Sequence, residues 1–287
     1  AEQEAMLRTP GYAGYQLLML NDFTGQSEAL VGILDPFWDS KGIVRAAEVR
    51  EWNAPTVVLA RFKKFTWTAS ETFSAHLEVA HFGAKPIPAN RVEWSLKTAS
   101  GKRVARGQWD ANPIQPGTLA QLGGLSAELK AIEAPAELTF AASLGDAENR
   151  WKLWVYPVAP EEPEPAGVLV TGVLDEPALA RLHSGGKVLL LAHGLKNRHT
   201  ARSGWESVYW SAGWWGNKFS SLGVLCDPKH PALREFPNDG CSDWQWRDLL
   251  AGATTIELTG APAAFRPIVQ PVPDFHYNAL LGQVFEA

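Results

Sequence analysis

The sequence has few cysteines and no long apolar run. Its two cysteines, Cys226 and Cys241, lie 15 positions apart, with no CxxC and no His/Cys cluster at zinc spacing. This predicts no metal site, and it favours unlinked thiols over the alternative of a disulfide in an exported protein. No stretch of about 18 apolar residues occurs, so we expect no contact with a membrane.

Excess charge of either sign is also missing. The chain has 26 basic and 31 acidic residues, a formal net charge of −5, and so lacks the excess of basic residues that is typical of nucleic-acid-binding proteins.

No G-x-G-x-x-G follows a predicted strand, and we predict no cofactor. Ala1 is not followed by a basic-then-apolar leader, so the compartment stays open, with the periplasm or secretion favoured. The sequence also leaves open whether the protein forms a homo-oligomer.

Residues 1–45 contain the most informative pattern. An apolar run, Tyr15–Leu20, leads directly into Asn21, Asp22 and Gln26, and the turn-like block Asp35–Gly42 follows. Polar groups just past the carboxyl end of a strand are typical of the catalytic face of a (β/α)8 barrel. Because such a barrel needs about eight strands and only one is present, we expect the chain to begin inside a domain whose bulk lies elsewhere.

The block Gly14–Gly42 resembles the last barrel strand of bacterial enzymes similar to glycoside hydrolase family 2, the β-galactosidase-like enzymes. The resemblance extends to four further segments: Ala54–Phe62, Trp151–Pro157, Cys226–Leu233 and Asp243–Trp246. The resemblance implies a retaining β-glycosidase that acts on terminal β-linked sugars of oligo- or polysaccharides. It also implies that the catalytic glutamates lie on earlier barrel strands, so this segment supplies no catalytic residue and has the upstream barrel portion as its partner.

Residues 46–160 are predicted to form an immunoglobulin-like β-sandwich. Short runs of near-alternating polarity, punctuated by Gly, Pro and Asn, predict several antiparallel strands in about 100 residues. The runs are Thr56–Phe62, Phe73–His81, Arg91–Lys97, Leu138–Leu144 and Arg150–Tyr156. In the last run Trp151 and Trp154 fall on opposite faces, which predicts a structural role for at least one of them.

Residues 161–287 are predicted to form an incomplete α/β accessory domain of flavodoxin or amidotransferase type. A Pro- and acid-rich hinge, 159–167, separates it from the sandwich. A strand after Gly167, a helix capped by Asp175, and the apolar run 187–192 indicate strand–helix–strand, with a parallel sheet covered on both faces. His193 follows that run, but no cysteine nucleophile on a strained turn accompanies it, so amidotransferase chemistry is not supported.

Four residues are candidate substrate contacts: Asn21, Asp22, Gln26 and Trp38. Carboxylate and amide groups can hydrogen-bond neighbouring hydroxyls of a carbohydrate substrate, and an indole can form the floor of a sugar subsite. Each has a structural alternative. Asp22 could instead order its loop by accepting backbone N–H bonds, and we favour such a structural role for Asn21 and Gln26. For Trp38 we favour packing at the end of the barrel.

The chain also carries 13 tryptophans, several of them clustered at Trp205, Trp210, Trp214, Trp215, Trp244 and Trp246. We interpret this cluster as an interface between domains in preference to a glycan wall. The leading hypothesis is the C-terminal segment of a β-glycosidase that supplies rim contacts and scaffolding. The alternative is a non-catalytic carbohydrate-binding or assembly module.

Overall fold

A computed structural model describes residues 2–12, 14–17, 19–22, 32–158, 165–191, 200–202, 221–251, 253–262, 264–273, 281–282 and 284–285. The chain divides into two compact units, 1–157 and 158–287. Both are mainly β-structure. The division into three domains at residues 45 and 160 stays a prediction.

In its described residues the first unit has two short helices and eight strands. These are α1 (Glu2–Leu7), α2 (Ala46–Trp52), β1 (Thr56–Arg61), β2 (Thr66–Thr68), β3 (Thr72–His81), β4 (Asn90–Thr98), β5 (Arg103–Ala111), β6 (Thr118–Glu128), β7 (Ala136–Leu144) and β8 (Ala147–Tyr156). One sheet has the order β1-β3-β6 and the other β2-β8-β7-β4-β5. All neighbours pair antiparallel except β2 and β8.

The two sheets share one apolar core and form the predicted two-layer sandwich. Alternation places every second residue inward, as along β7, where Leu138, Phe140, Ala142 and Leu144 are buried. Aromatic rings fill the centre, with Phe140 5.1 Å from Phe73 and 5.2 Å from Trp151 between ring centroids. Such pairs contribute beyond their buried area.

Helix α1 is attached to the sandwich through a buried carboxylate. Glu4 Oε1 accepts hydrogen bonds from Asn149 Nδ2 at 2.7 Å and from Trp151 Nε1 at 2.9 Å. Leu7 packs against Val57 and Leu59 on the outer side of β1. Trp154 is 1% exposed although it faces away from the core shared by Trp151, so both tryptophans of this strand are structural.

The second unit contains β9 (Val168–Thr171), α3 (Glu176–His183), β10 (Lys187–Leu190), β11 (Thr200–Arg202), β12 (Ser221–Cys226), a 3-10 turn (Pro231–Leu233), α4 (Trp246–Leu250), β13 (Thr254–Glu257), β14 (Pro267–Pro273), β15 (Leu281–Gly282) and β16 (Val284–Phe285). Its sheets have the orders β10-β9, β11-β13-β15 and β12-β14-β16.

The strand–helix–strand pattern predicted after the hinge is present. Strands β9 and β10 pair in parallel, and Asp175 caps α3 by accepting a hydrogen bond from Ala178 N at 3.1 Å. Among the described strands of the second unit, however, only this pair is parallel, and Leu189 and Leu190 are 46% and 37% exposed. Helix α3 packs against both strands, although these leucines stay partly exposed. Coverage of the sheet on both faces stays a prediction.

Candidate functional site

The predicted site residues lie around a loop closed by short backbone bridges. Asp22 N donates to Leu34 O, and Leu34 N donates to Leu20 O, each at 3.0 Å. Leu34 also pairs with Ser40, so three chain segments lie side by side. The loop therefore brings its first polar residues next to residues 32–41.

Asp22 lies at the centre of this arrangement. Its Oδ1 accepts hydrogen bonds from Gly32 N at 2.8 Å and from Lys41 Nζ at 2.6 Å, and Lys41 also donates to Gly32 O at 3.0 Å. The side chain of Asp22 is 4% exposed, so its interactions depend on these partners. The second oxygen, Oδ2, makes no hydrogen bond to the described part of the chain. The carboxylate thus orders the loop through Oδ1.

The charge state of Asp22 follows from these contacts. The hydrogen bond from Lys41 lowers the pKa of Asp22 most strongly, burial opposes it, and the Gly32 N–H and the Lys41 charge lower the pKa further. The group is therefore ionised at neutral pH. A fixed negative oxygen can accept a hydrogen bond from a sugar hydroxyl, but it cannot act as a general acid.

Asn21 is 9% exposed, and its Nδ2 donates to Asp22 O at 3.1 Å. This is a contact within the loop, and the loop-ordering role that the sequence favoured for Asn21 stays a prediction. Gln26 lies outside the described residues. Of the four predicted contacts, the structure therefore brings Asn21, Asp22 and Trp38 into one loop.

Trp38 occupies an unusual position on a tight turn. Its φ is +71°, and it is 62% exposed, while the neighbouring Phe37 is 84% exposed. Asp35 Oδ1 fixes the turn by accepting from Phe37 N at 2.8 Å and Asp39 N at 2.9 Å. A bulky residue in left-handed backbone costs of order 1–3 kcal/mol, and such strain clusters at functional sites. The described residues leave most of the indole uncovered, and the expectation that Trp38 packs at the end of a barrel stays a prediction.

The run Tyr15–Leu20, predicted as a barrel strand, has no strand assignment in its described residues. Leu17, Met19 and Leu20 are 51%, 42% and 43% exposed. A strand needs hydrogen-bonded neighbours, and in the described part of the chain this run gains one only at its end, through the Asn21–Leu34 bridge. No closed barrel is present among the described residues.

The glutamates nearest to this loop in the described chain lie on α2 and are engaged elsewhere. Glu48 pairs with Arg45 at 2.7 Å, and Glu51 pairs with Arg150 at 2.9 Å. Burial raises the pKa of Glu51, while the charge of Arg150 opposes that rise. The Glu51 pair therefore joins α2 to β8, whereas the Glu48 pair lies within the first turn of α2.

Sequence reasoning missed Lys41 and Phe37 as members of this loop. Both belong to the block Asp35–Gly42, so the sequence feature that could have identified them is their place beside the predicted contact Trp38.

The structure describes only part of the tryptophan cluster. Trp246 is 5% exposed and packs edge-on against Phe236, with 4.7 Å between ring centroids, so Trp246 belongs to the core of the second unit. Trp205, Trp210, Trp214 and Trp215 lie outside the described residues, as does His193.

Three further features of the described residues concern metals, membranes and disulfides. Among them, no group of three or more His, Cys, Asp or Glu side chains is arranged to hold a metal ion. No helix in these ranges is both long and apolar enough to cross a membrane. Cys226 and Cys241 are free thiols.

Two family profiles match parts of the sequence, and both carry the description "domain of unknown function". DUF8488 matches residues 71–157, and DUF8487 matches residues 169–287. They correspond to most of the sandwich and to nearly all of the second unit. A search of curated proteins found no match.

Several solved structures are similar to part of the chain, and they include glycoside hydrolases. A CARDB domain from Pyrococcus furiosus has 10% identity and a TM-score of 0.29, over 36% of this chain and 94% of that one. A β-glucosidase from Erythrobacter marinus has 9% identity and a TM-score of 0.28, over 35% of this chain. A putative β-galactosidase from Bacteroides fragilis has 11% identity and a TM-score of 0.25, over 40% of this chain. The matched part is 15% of the β-glucosidase chain and 19% of the β-galactosidase chain.

Proposed function

We propose that this chain is the non-catalytic C-terminal segment of a retaining β-glycosidase that hydrolyses terminal β-linked sugars, and that loop 21–41 contacts the sugar at the rim of its active site. The observation that carries the proposal is Trp38, an exposed indole held in strained backbone by the Asp35 turn. Flat aromatic faces suit the apolar faces of sugar rings, and an exposed, strained aromatic residue has no evident folding role.

The segment before the loop supports the same proposal. Residues 14–17, 19 and 20 belong to no helix or strand and include the half-exposed side chains of Leu17, Met19 and Leu20, as expected of a strand whose neighbours come from another part of the protein. In this proposal the upstream barrel portion supplies those neighbours, and Tyr15–Leu20 becomes the last barrel strand. The second unit would then be an accessory α/β domain.

The chemistry assigns a limited role to this chain. Glycosidases need two carboxyl groups that flank the scissile bond, one of them protonated. Asp22 is ionised and paired with Lys41, and Asp35 is occupied by the turn, so neither suits the acid role. The two catalytic carboxyl groups would come from the barrel, while Trp38 stacks on a sugar ring and Asp22 Oδ2 accepts a hydroxyl hydrogen bond.

The test is a comparison of hydrolysis by two proteins. The 287-residue chain alone should give no turnover of nitrophenyl β-glycosides above buffer, whereas the product of the complete natural reading frame should hydrolyse at least one of them with retention. Turnover by the chain alone that survives repurification, and that is lost on mutating one of its own carboxylates, would refute the proposal.

A carbohydrate-binding module without an attached glycosidase is the second candidate, and the adjacent exposure of Phe37 and Trp38 favours it. Two neighbouring aromatic side chains on a rigid turn could form a binding platform on their own. In that case the chain alone would bind an oligosaccharide, and the product of the complete reading frame would hydrolyse none.

A further inference from the structure

The outer face of the five-stranded sheet carries a groove of about 550 Å³ that is separate from loop 21–41. Its floor is made of small residues, Ser95 on β4 and Ala141 and Ser143 on β7. These residues alternate with buried ones, so their side chains point to solvent. Strand β5 forms one wall, with Arg103 and Arg106.

Three cations converge at one end of this groove. Lys97 and Arg103 are directly opposite each other in the β4–β5 pair, and Arg106 is opposite Ser95, the next outward residue along β4. Like charges placed opposite one another across an antiparallel pair are destabilising. The sandwich therefore maintains a local arrangement that opposes its own folding, which is typical of functional sites.

None of the three cations has a counter-ion in the part of the chain that the structure describes. Within the described residues, Lys97, Arg103 and Arg106 make no ion pair and no hydrogen bond through their side chains. Other arginines on the same face do pair: Arg91 lies 3.7 Å from Asp110, and Arg150 lies 2.8 Å from Glu148. The three cations at the end of the groove thus differ from Arg91 and Arg150, which have carboxylate partners.

The other end of the groove offers hydrogen-bonding groups. Glu93 is opposite Gln108 on β5 and opposite Ser143 on β7, so all three side chains share one cross-strand row. This row lies four residues from Lys97, which corresponds to about 13 Å along an extended strand. The only aromatic residue at the groove, Trp94, is 9% exposed, so a ligand would bind through charge and hydrogen bonds and not by stacking.

We propose that this groove binds an acidic oligosaccharide. Its carboxylate or sulfate group would lie between Lys97, Arg103 and Arg106, where it would relieve their repulsion, and its hydroxyl groups would bond Ser95, Ser143 and Glu93. Only the choice of a saccharide rests on the proposed function; the anion site follows from the cations themselves.

Calorimetric titration of the 287-residue chain tests this site. The probes are a galacturonic acid trisaccharide, a sulfated galactose trisaccharide and the neutral galactose trisaccharide as control. We expect one or both acidic probes to bind, with an affinity that falls as salt is raised, and the neutral probe not to bind. Tighter binding of one acidic probe identifies which anionic group the site prefers.

Two variants localise the binding. Lys97→Gln should weaken it about tenfold, because one of the three cations is lost. Lys102→Gln removes the same charge from the exposed turn between β4 and β5, outside the groove, and should leave affinity unchanged. Without ligand, Lys97→Gln should melt at the same temperature as the parent or higher, since a repulsion is removed.

Three results would overturn the site: no binding of either acidic probe, equal binding of the neutral probe, or equal losses in the two variants. Because these titrations measure binding to a chain that should lack turnover, a negative result leaves the hydrolysis test of the proposed function unaffected.

Discussion

Lys41 and Asp22, 19 residues apart, form an ion pair of 2.6 Å that closes loop 21–41. Both side chains also hydrogen-bond to the backbone of Gly32: Asp22 accepts from the Gly32 N–H, and Lys41 donates to the Gly32 carbonyl oxygen. One contact therefore fixes the start, the middle and the end of the loop. The orientation of the turn that carries Trp38 depends on it.

Asp22→Asn should lower the melting temperature at neutral pH, because the charge partner of Lys41 is lost. The folded-state pKa of Asp22 lies below its usual value of about 3.9, so its stabilisation is complete above that pH and is lost as the pH falls through the folded value. Melting curves from pH 7 to pH 2 check this. The difference between parent and variant should shrink below about pH 4, and a gap that stays constant with pH would contradict the assignment.

Gly32→Ala should destabilise the loop even though Gly32 has no positive φ. An added Cβ would overlap the backbone of Asn21 and Asp22, and overpacking of this kind costs about 1–3 kcal/mol. Gly124→Ala is a matched control on β6, where a Cβ would meet no atom closer than 3.7 Å. Urea unfolding measures both; similar losses for the two variants would argue against close packing at Gly32.

Glu4→Leu should destabilise the first unit more than Glu4→Gln. Leucine leaves Trp151 Nε1 and one donor of Asn149 Nδ2 without their acceptor, at about 1–3 kcal/mol for each buried group, whereas glutamine keeps an acceptor oxygen. Chemical unfolding of both variants is the measurement. Equal stability of the two would mean that the hydrogen bonds contribute little.

Residues 46–160 should fold on their own into a β-sandwich, because the shared core lies entirely within them. They should unfold cooperatively but at lower urea than residues 1–160, since α1 no longer covers Val57 and Leu59. Circular dichroism and urea titration of both fragments test this. A disordered spectrum for residues 46–160 would place the boundary elsewhere.

Sequence patterns predicted the strands whose burial alternates. Strands β3, β4, β7 and β8 lie where alternation placed them, and Asp175 caps α3 as its position indicated. Strands β5 and β6 were missed because Gly107, Gly123 and Gly124 weaken the pattern. Glycine occupies position 107 because of a tertiary contact, since a Cβ there would overlap the indole of Trp94.

The site was less predictable than the sandwich. Position after an apolar run identified Asn21 and Asp22, but the partner of Asp22 depends on how the turn at residues 35–39 folds back. The strain at Trp38 had no sequence signal, because tryptophan rarely occupies left-handed backbone. The run Tyr15–Leu20 was predicted from its apolar pattern, yet a strand also needs neighbours that this pattern does not contain.

The most direct test of the central claim is Trp38→Gly in the product of the complete natural reading frame, with Phe37→Gly as the matched control. Glycine accepts positive φ freely, so Trp38→Gly should keep or raise the melting temperature by relieving strain. It should also lower kcat/KM about 10- to 100-fold, equivalent to about 1.4–2.7 kcal/mol, by removing the face that stacks on the sugar. Phe37→Gly should cost less activity, since Phe37 is not held in strained backbone. A stable Trp38→Gly enzyme with unchanged kcat/KM would contradict the account and remove this loop from the sugar site.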